Sequence, residues 1–189
     1  MKDLIQQSVE DSITLKRLFF AAHLKKIEFC ADIIVQAFKM GKKILLFGNG
    51  GSAADCQHIA AEFVNRFQIE RKPLPAIALT TDTSVITSIG NDYAYEDIFF
   101  KQIQALGKKG DIALGISTSG NSPNVIKAVE EAKDMGLTII GFSGNRGRLK
   151  SLSDIPFCVD SPTTARIQEV HLLLAHILCD LTERILFNE

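Results

Sequence analysis

Lys43-Ile44-Leu45-Leu46-Phe47-Gly48-Asn49-Gly50-Gly51-Ser52 is the stretch that decides the fold. Its apolar half is short and is closed by glycine, which is typical of a strand buried on both faces of a sheet. The three glycines allow a sharp turn, and apolar residues then recur at helical spacing from residue 53 to 67. The stretch therefore predicts a strand, a tight loop and a helix, the repeating unit of parallel α/β proteins.

The same alternation continues towards the C-terminus. Further apolar runs bounded by turn residues predict four more strands, at 76–79, 111–116, 138–142 and 156–159. Helical patterns separate or follow them, at 98–106, 122–135 and 164–186. Strands that alternate with helices favour a doubly wound sheet with helices on both faces. We expect an α/β protein, a three-layer αβα sandwich with a five-stranded parallel sheet.

Towards the N-terminus the pattern changes to helix alone. From residue 4 to about 40, apolar residues recur at steps of three and four without Gly or Pro, and Gly41 closes the region. This spacing predicts a helical hairpin or long helices. No repeat or low-complexity tract divides the chain, so we expect a single domain over 1–189. The long polar stretch 68–72 is predicted to be a surface loop.

Composition excludes several classes of protein. The net charge of −1, from 21 basic and 22 acidic residues, leaves no basic surface for nucleic acid. No apolar run has the length of a signal peptide or of a membrane span of about 20 residues. The four cysteines form no CxxC pair, which favours reduced thiols; they are Cys30, Cys56, Cys158 and Cys179. We expect a cytoplasmic protein that binds neither nucleic acid nor membrane.

Two loops at strand ends have the composition of an anion site. In open α/β sheets, ligands bind beyond the carboxyl ends of the strands, where helix N-termini present free N–H groups. The glycine-rich loop 48–52 would let backbone amides approach a ligand, although a turn capped by Ser would look the same. The serine-rich loop 117–123 carries more hydroxyls than a helix cap needs, which favours phosphate. Neither loop has the GxxxxGK[ST] pattern or the third glycine of a nucleotide site.

Several residues on two of the predicted helices could carry chemistry. His58 and Glu62 are four residues apart on the helix that follows the glycine-rich loop, so they share one face, as a surface ion pair also would. Gln168, His171 and His176 interrupt the apolar last helix. His58, Glu62, Gln168 and His176 together suit a zinc ion. Gln168 and His176, however, are about 12 Å apart along a helix axis, so one ion would need an irregular helix or a neighbouring subunit.

Four motifs taken together resemble phosphoheptose isomerases, a branch of the SIS (sugar isomerase) family. They are GNGGSAADCQH at 48–58, ND at 91–92, STSGNS at 117–122 and ARIQEVH at 165–171. The likeness spans nearly the whole chain, whereas the serine-rich motif by itself would indicate only the wider SIS superfamily. The resemblance implies the flavodoxin-like SIS fold, with the helical region 1–40 packing on partner subunits.

The resemblance also implies roles for individual residues. Those expected to contact substrate are Asn49, Gly50, Gly51, Ser52, Glu62, Asn91, Asp92, Ser117, Thr118, Ser119, Ser122 and Gln168, with the serine-rich loop holding a phosphate. One zinc ion per subunit is expected on His58, Glu62, Gln168 and His176. The implied assembly is a homotetramer with active sites between subunits. An apolar last helix, with Leu172 to Leu174 covering more than one face, also favours self-association.

The implied reaction converts sedoheptulose 7-phosphate into D-glycero-D-manno-heptose 7-phosphate, a precursor of heptose in bacterial lipopolysaccharide or related glycans. Ketose–aldose isomerisation passes through an enediol and needs acid–base groups near C1 and C2. Glu62 and His176 are the residues expected to supply them. Whether Glu62 acts chiefly as a base or as a metal ligand is left open by the residues alone, because a coordinated carboxylate is a weaker base.

Two other functions are compatible with the fold. One is a non-enzymatic SIS protein that binds the replication initiator, since that relative shares the Arg-Ile-Gln-Glu run. That relative lacks the acid and the imidazole found here at Glu62 and His176. The presence of both residues in this sequence favours an enzyme. The other is an SIS isomerase or sensor for a different sugar phosphate, because pocket shape sets the accepted chain length.

Overall fold

A computed structural model describes residues 1–187. Within them the strands are β1 (Ile44–Gly48), β2 (Ala76–Ala78), β3 (Ile112–Ser117), β4 (Thr138–Gly144) and β5 (Ile155–Val159). The helices are α1 (Lys2–Lys39), α2 (Gly51–Val64), α3 (Thr83–Asp92), α4 (Phe100–Leu106), α5 (Pro123–Asp134), α6 (Leu149–Leu152) and α7 (Thr164–Phe187). The last two residues of the expected domain, 188 and 189, lie outside the described part.

The five strands form one parallel sheet in the order β2-β1-β3-β4-β5. This is the flavodoxin-like order, and it confirms the predicted fold class. The central strands β1 and β3 are buried at every residue. The edge strands are not, since Ile77 of β2 is 40% exposed and β5 alternates between buried and half-buried residues. Burial on both faces was therefore a correct prediction for the centre and wrong at the edges, where the helical layers end.

Alternate residues of β1 point into two separate cores. Ile44 and Leu46 join the core that the sheet forms with α1, α2 and α7. Leu45 and Phe47 join the core on the opposite face, beneath α4, α5 and α6. A strand directs successive side chains to opposite faces, so these four apolar residues anchor both layers of helices. The three-layer sandwich follows from that alternation.

The N-terminal region is one helix of 38 residues rather than a hairpin. At about 1.5 Å per residue it is about 57 Å long. Its buried side chains lie between Phe19 and Phe38, where it packs on the sheet and on α7. Its first half extends past the core and leaves large apolar side chains exposed, among them Leu4 at 75% and Ile5 at 67%. Gly41 ends the region with a φ of +68°, a conformation that favours glycine.

Three features of the chain were not expected from the pattern. Helix α3 has ten residues and only half-buries its apolar side chains, such as Ile86 and Ile89, while α6 has only four residues, so both are too short for a clear pattern. The stretch 68–72 was predicted to be a surface loop, which is wrong for Arg71. Its side chain is only 2% exposed because it pairs with Glu183 inside the protein.

No helix within residues 1–187 combines the length and the hydropathy needed to cross a membrane.

Candidate active site

The two loops predicted to bind an anion lie side by side. β1 and β3 are neighbours in the sheet, and their last paired residues are Gly48 and Ile116. From this point the chain winds outward in opposite directions, to β2 on one side and to β4 and β5 on the other. Such a switch point opens a crevice at the carboxyl edge of a parallel sheet. The loops 48–52 and 117–122 form its two walls.

The glycine-rich loop brings the start of α2 close to the neighbouring strand. A β-carbon at Gly48 would lie 2.9 Å from the carbonyl oxygen of Ile116, so a larger residue would push the loop away from β3. Gly50 has a φ of +56° and begins α2 without a side-chain cap. The side chain of Ser52, which is predicted to contact substrate, is buried under this turn. The start of α2 therefore faces the crevice without a capping side chain, although the N–H groups of Ser52 and Ala53 bond to the carbonyls of Asn49 and Gly50 in the loop itself.

The hydroxyls of the serine-rich loop converge on one another. The Oγ atom of Ser117 lies 2.8 Å from that of Ser122 and 3.3 Å from that of Ser119. Ser122 precedes α5 without capping it, and Pro123 occupies the first helical turn. Thr118 and Ser119 also line a cavity of about 530 Å³ at this edge of the sheet, together with residues that follow β4 and β5. The loop thus presents hydroxyls and free amides to solvent-accessible space.

A reciprocal pair of side-chain amides joins the two loops. Asn49 donates from Nδ2 to Oδ1 of Asn124 at 2.9 Å, and Asn124 donates from Nδ2 to Oδ1 of Asn49 at 2.8 Å. The Tyr95 hydroxyl donates to the same Oδ1 of Asn49 at 3.2 Å. No local pattern distinguishes Asn124 or Tyr95 in the sequence, and an Asn at a helix start resembles an ordinary cap. These bonds fill both acceptor sites of Asn49 Oδ1 and one N–H of Nδ2, so the second N–H of Nδ2 is left for a ligand.

Asn91 and Asp92 are the last two residues of α3 and are exposed. The Asn91 amide donates to Oδ1 of Asp92 at 2.8 Å. Three residues after Asp92, Tyr95 bonds to Asn49, which ties the end of α3 to the glycine-rich loop. This geometry places the Asn-Asp pair beside the crevice, although no pattern in the sequence predicted the helix that carries it.

His58, Glu62 and His176 meet at one point. His58 Nε2 lies 2.9 Å from Oε1 of Glu62 and 3.4 Å from Nε2 of His176. The three ligand atoms all lie within 4.8 Å of one another. Two nitrogens bound at 2.0–2.1 Å to a tetrahedral zinc ion would be about 3.3 Å apart, so the spacing of the two imidazoles fits that ion. Imidazole and carboxylate are also the ligand types that zinc takes.

Gln168, the fourth predicted ligand, contacts the start of α2 in the same chain. Its amide nitrogen would be 2.6 Å from a β-carbon at Gly51, so it lies against the start of α2. Glu62 follows eleven residues later on that helix, about 16 Å along the axis. One chain therefore places Gln168 at the glycine-rich loop, with His58 about two turns and Glu62 about three turns further along α2.

Two further ionisable residues lie close to these positions. Asp55 precedes His58 by one turn; burial raises the pKa of its carboxyl and the nearby His58 lowers it, with a net rise. Its Oδ2 is buried without a partner among the described residues. His171 does not join the cluster, because its ring lies beneath the sheet edge with Nε2 3.2 Å from the carbonyl oxygen of Ser143. Burial lowers the pKa of His171 to about 4, so the ring is neutral at pH 7.

Comparison with known proteins identifies the family of the chain. The SIS domain family model matches residues 9–144. A phosphoheptose isomerase of Clostridium acetobutylicum is 51% identical over 100% of this chain and 98% of its own length. This chain belongs to the phosphoheptose isomerase family of SIS proteins. Another family member, from Thermodesulfovibrio yellowstonii, is 54% identical over 100% of this chain and 94% of its own length.

Solved structures of the family match the whole domain. The phosphoheptose isomerase of Neisseria gonorrhoeae has a TM-score of 0.91 and 41% identity, covering 96% of this chain and 98% of the other. That of Francisella tularensis has a TM-score of 0.92 and 41% identity, covering 96% and 97%. The family resemblance inferred from the four motifs is thus confirmed.

Proposed function

We propose that this family member is a phosphoheptose isomerase that converts D-sedoheptulose 7-phosphate into D-glycero-D-manno-heptose 7-phosphate. The observation that carries this function is the meeting of Glu62 with His58 and His176 in a chain about half identical, over its full length, to phosphoheptose isomerases. An adaptor that binds the replication initiator is disfavoured, since an acid–base pair serves no purpose in such binding. A different sugar phosphate as substrate is disfavoured because the relatives that share about half of the sequence are phosphoheptose isomerases.

The rim of the sheet is the proposed phosphate and sugar site. The serine-rich loop offers hydroxyls, and the N-termini of α2 and α5 add the positive ends of two helix dipoles, which favour a dianion. Supporting contacts to the sugar would come from the ends of the neighbouring elements. The complete proposed set is Asn49, Gly50, Gly51, Ser52, Glu62, Asn91, Asp92, Ser117, Thr118, Ser119, Ser122 and Gln168.

Glu62 and His176 are the proposed acid–base pair. In the forward reaction C1 of the ketose loses a proton while the C2 oxygen gains one, which gives the enediol. C2 then receives a proton and the C1 oxygen gives one up, which leaves the aldehyde. A carboxylate and an imidazole that lie side by side can exchange these protons at adjacent carbons and oxygens.

We also propose one zinc ion per subunit. His58, Glu62 and His176 would hold it, and the spacing of their ligand atoms supports this. When bound, zinc would polarise the substrate carbonyl and stabilise the negative charge of the enediolate. Gln168 stays the proposed fourth ligand, contributed across a subunit interface, because in its own chain it lies against the start of α2.

A site between subunits explains the separation within one chain. His58 lies about 10 Å and Glu62 about 16 Å along α2 from the glycine-rich loop, so we propose that the rim of one copy faces the cluster of another. The exposed apolar residues in the first half of α1 supply a surface for such packing. We propose a homotetramer on this basis, and light scattering that gives a monomer at micromolar concentration would contradict it.

The proposed location is the cytoplasm. Cys30, Cys56 and Cys179 are buried, and Cys158 is half-buried, all as free thiols. Burial raises the pKa of the Cys30 thiol to about 12, so it stays protonated and unreactive. A chain of this kind suits a reducing compartment, where its product would supply heptose precursors of bacterial surface glycans.

The test is to incubate the purified protein with D-sedoheptulose 7-phosphate and to follow the aldose by NMR. Glu62→Gln and His176→Gln should each abolish isomerisation while the protein stays folded by circular dichroism. Glu70→Gln and His23→Gln are matched controls, because Glu70 is exposed and His23 packs on Phe19 far from the cluster. Near-normal turnover by either cluster variant would refute the assignment.

A further inference from the structure

A buried ion pair connects the loop after α2 to the last helix. Nε of Arg71 lies 2.9 Å from Oε1 of Glu183, and the two side chains are only 2% and 1% exposed. Glu183 also accepts hydrogen bonds from three consecutive backbone N–H groups, those of Phe67, Gln68 and Ile69, at 2.7–2.9 Å. Burial raises the pKa of the Glu183 carboxyl, but the three backbone bonds and Arg71 together lower the pKa by more. The net shift is downward, so the carboxylate is charged at neutral pH.

The other end of Arg71 reaches the helix that carries the proposed acid. One terminal nitrogen donates to the carbonyl oxygen of Phe63 at 2.7 Å, and the other donates to that of Glu62 at 2.8 Å. These carbonyls belong to the last turn of α2, where no helical N–H remains to bond them. The planar guanidinium therefore fixes the backbone of Glu62 itself.

The same network touches the surroundings of the proposed imidazole. Glu183 follows His176 by seven residues on α7, two helical turns along one face. The Phe67 ring, whose backbone N–H is bonded to Glu183, lies 5.5 Å from the His176 ring at an interplanar angle of 30°. The Glu183 carboxylate thus joins α7, which carries His176, to the loop whose Phe67 packs on the His176 ring.

We infer that Arg71 and Glu183 are positioning residues for the Glu62–His176 pair, with Phe67 as the contact that passes their effect to the imidazole. This inference rests on the proposed function, since it takes Glu62 and His176 to be the acid–base pair. Neither Arg71 nor Glu183 touches the reacting atoms. A buried ion pair is weak evidence for a stabilising role, because desolvation costs offset the attraction, whereas fixed orientation is what acid–base catalysis needs.

Arg71→Lys and Phe67→Leu test the inference at saturating zinc. Lys keeps the charge but cannot donate to Glu183 and to two carbonyls in one plane. Leu removes the ring next to His176 and leaves the ion pair and the backbone bonds in place. Misplacement of catalytic groups by about 1 Å costs up to about a hundredfold in rate, so kcat should fall at least about tenfold in each variant. KM and inhibition by inorganic phosphate should change less than about twofold, because the serine-rich rim is untouched.

Asp111→Asn is the matched control. Asp111 is also a buried carboxylate that pairs with a cation, Lys43, and accepts backbone N–H groups, those of Lys43 and Lys108, but it lies at the opposite edge of the sheet. The Asp111→Asn variant should unfold more easily in urea than the wild type and keep the wild-type kcat. If Arg71→Lys and Phe67→Leu keep their kcat while folded, or if KM, phosphate inhibition and stability deteriorate together as in a general loosening, the inference is overturned. A wild type without turnover would instead refute the proposed function on which it depends.

Discussion

The protein should lose stability in acid through a single buried imidazole, that of His171. The residue is 1% exposed on α7, and its ring packs 5.5 Å from that of Phe142. Its Nε2–H donates to the Ser143 carbonyl, and Nδ1 is buried with no hydrogen-bond partner among the described residues. Protonation of Nδ1 would place an unpaired charge in the core, which burial makes costly.

The direction and size of the effect follow from the pKa difference. In the unfolded chain the imidazole titrates near 6.5, whereas burial lowers the folded pKa of His171 to about 4. The unfolded state therefore binds the proton first, and folded stability is complete above pH 6.5 and falls as the pH drops towards 4. By linkage the loss is about 2 kcal/mol between pH 8 and pH 5, and about 3.4 kcal/mol once both states are protonated.

The assay is urea unfolding of the wild type and of His171→Gln at one protein concentration, at pH 8 and at pH 5. Gln can still place an N–H near the Ser143 carbonyl, but it has no group that titrates. The variant should be less stable at pH 8 because ring packing is lost, and the gap between the two proteins should narrow by about 2 kcal/mol at pH 5. A gap that is equal at both pH values within about 0.5 kcal/mol would refute the reasoning.

Three other predictions concern the crevice and the metal. Asn124→Ala should raise KM by up to about thirtyfold with little change in kcat by steady-state kinetics, because it removes two hydrogen bonds to Asn49 worth about 1 kcal/mol each; an unchanged KM would contradict this. Gly120→Ala should destabilise the fold by more than about 2 kcal/mol in urea, since its φ is +68° and a β-carbon would overlap the Arg146 carbonyl. Gly41→Ala, with the same φ but open space around it, should cost about 1 kcal/mol, and equal losses would exclude the overlap. Dialysis against a chelator should abolish turnover, and zinc at a hundredfold excess over its Kd should restore it and stabilise the fold by about 2.7 kcal/mol; activity that persists without metal would exclude the ion.

The sheet and its binding loops could be predicted because their signals are local. Each strand is an apolar run closed by turn residues, as in 112–117, and a parallel sheet brings the loops after β1 and β3 to one edge. His58 and Glu62 could be paired from their helical spacing alone. Helix α3 was missed because it has only ten residues, and its apolar residues, among them Ile86 and Ile89, are too few to set a clear period although they pack against the core.

The parts that escaped prediction depend on contacts between distant residues. Arg71 and Glu183 are 112 positions apart, and Asn49 and Asn124 are 75 apart, so no local pattern links either pair. Arg71 also lies in a polar stretch, which is typical of a surface loop until its partner is known. The position of His176 against His58 belongs to the same class and became predictable only through the family resemblance.

The serine-rich loop holds its own hydroxyls in mutual hydrogen bonds, with Ser117 bonded to both Ser119 and Ser122. An arriving ligand must exchange these bonds for its own, so the hydroxyls change partners rather than gain them. A neutral sugar offers acceptors no better than those it displaces, whereas the oxygens of a phosphate dianion accept charge-assisted bonds about twice as strong. We therefore expect the loop to discriminate against unphosphorylated sugars before the carbon chain has made any contact.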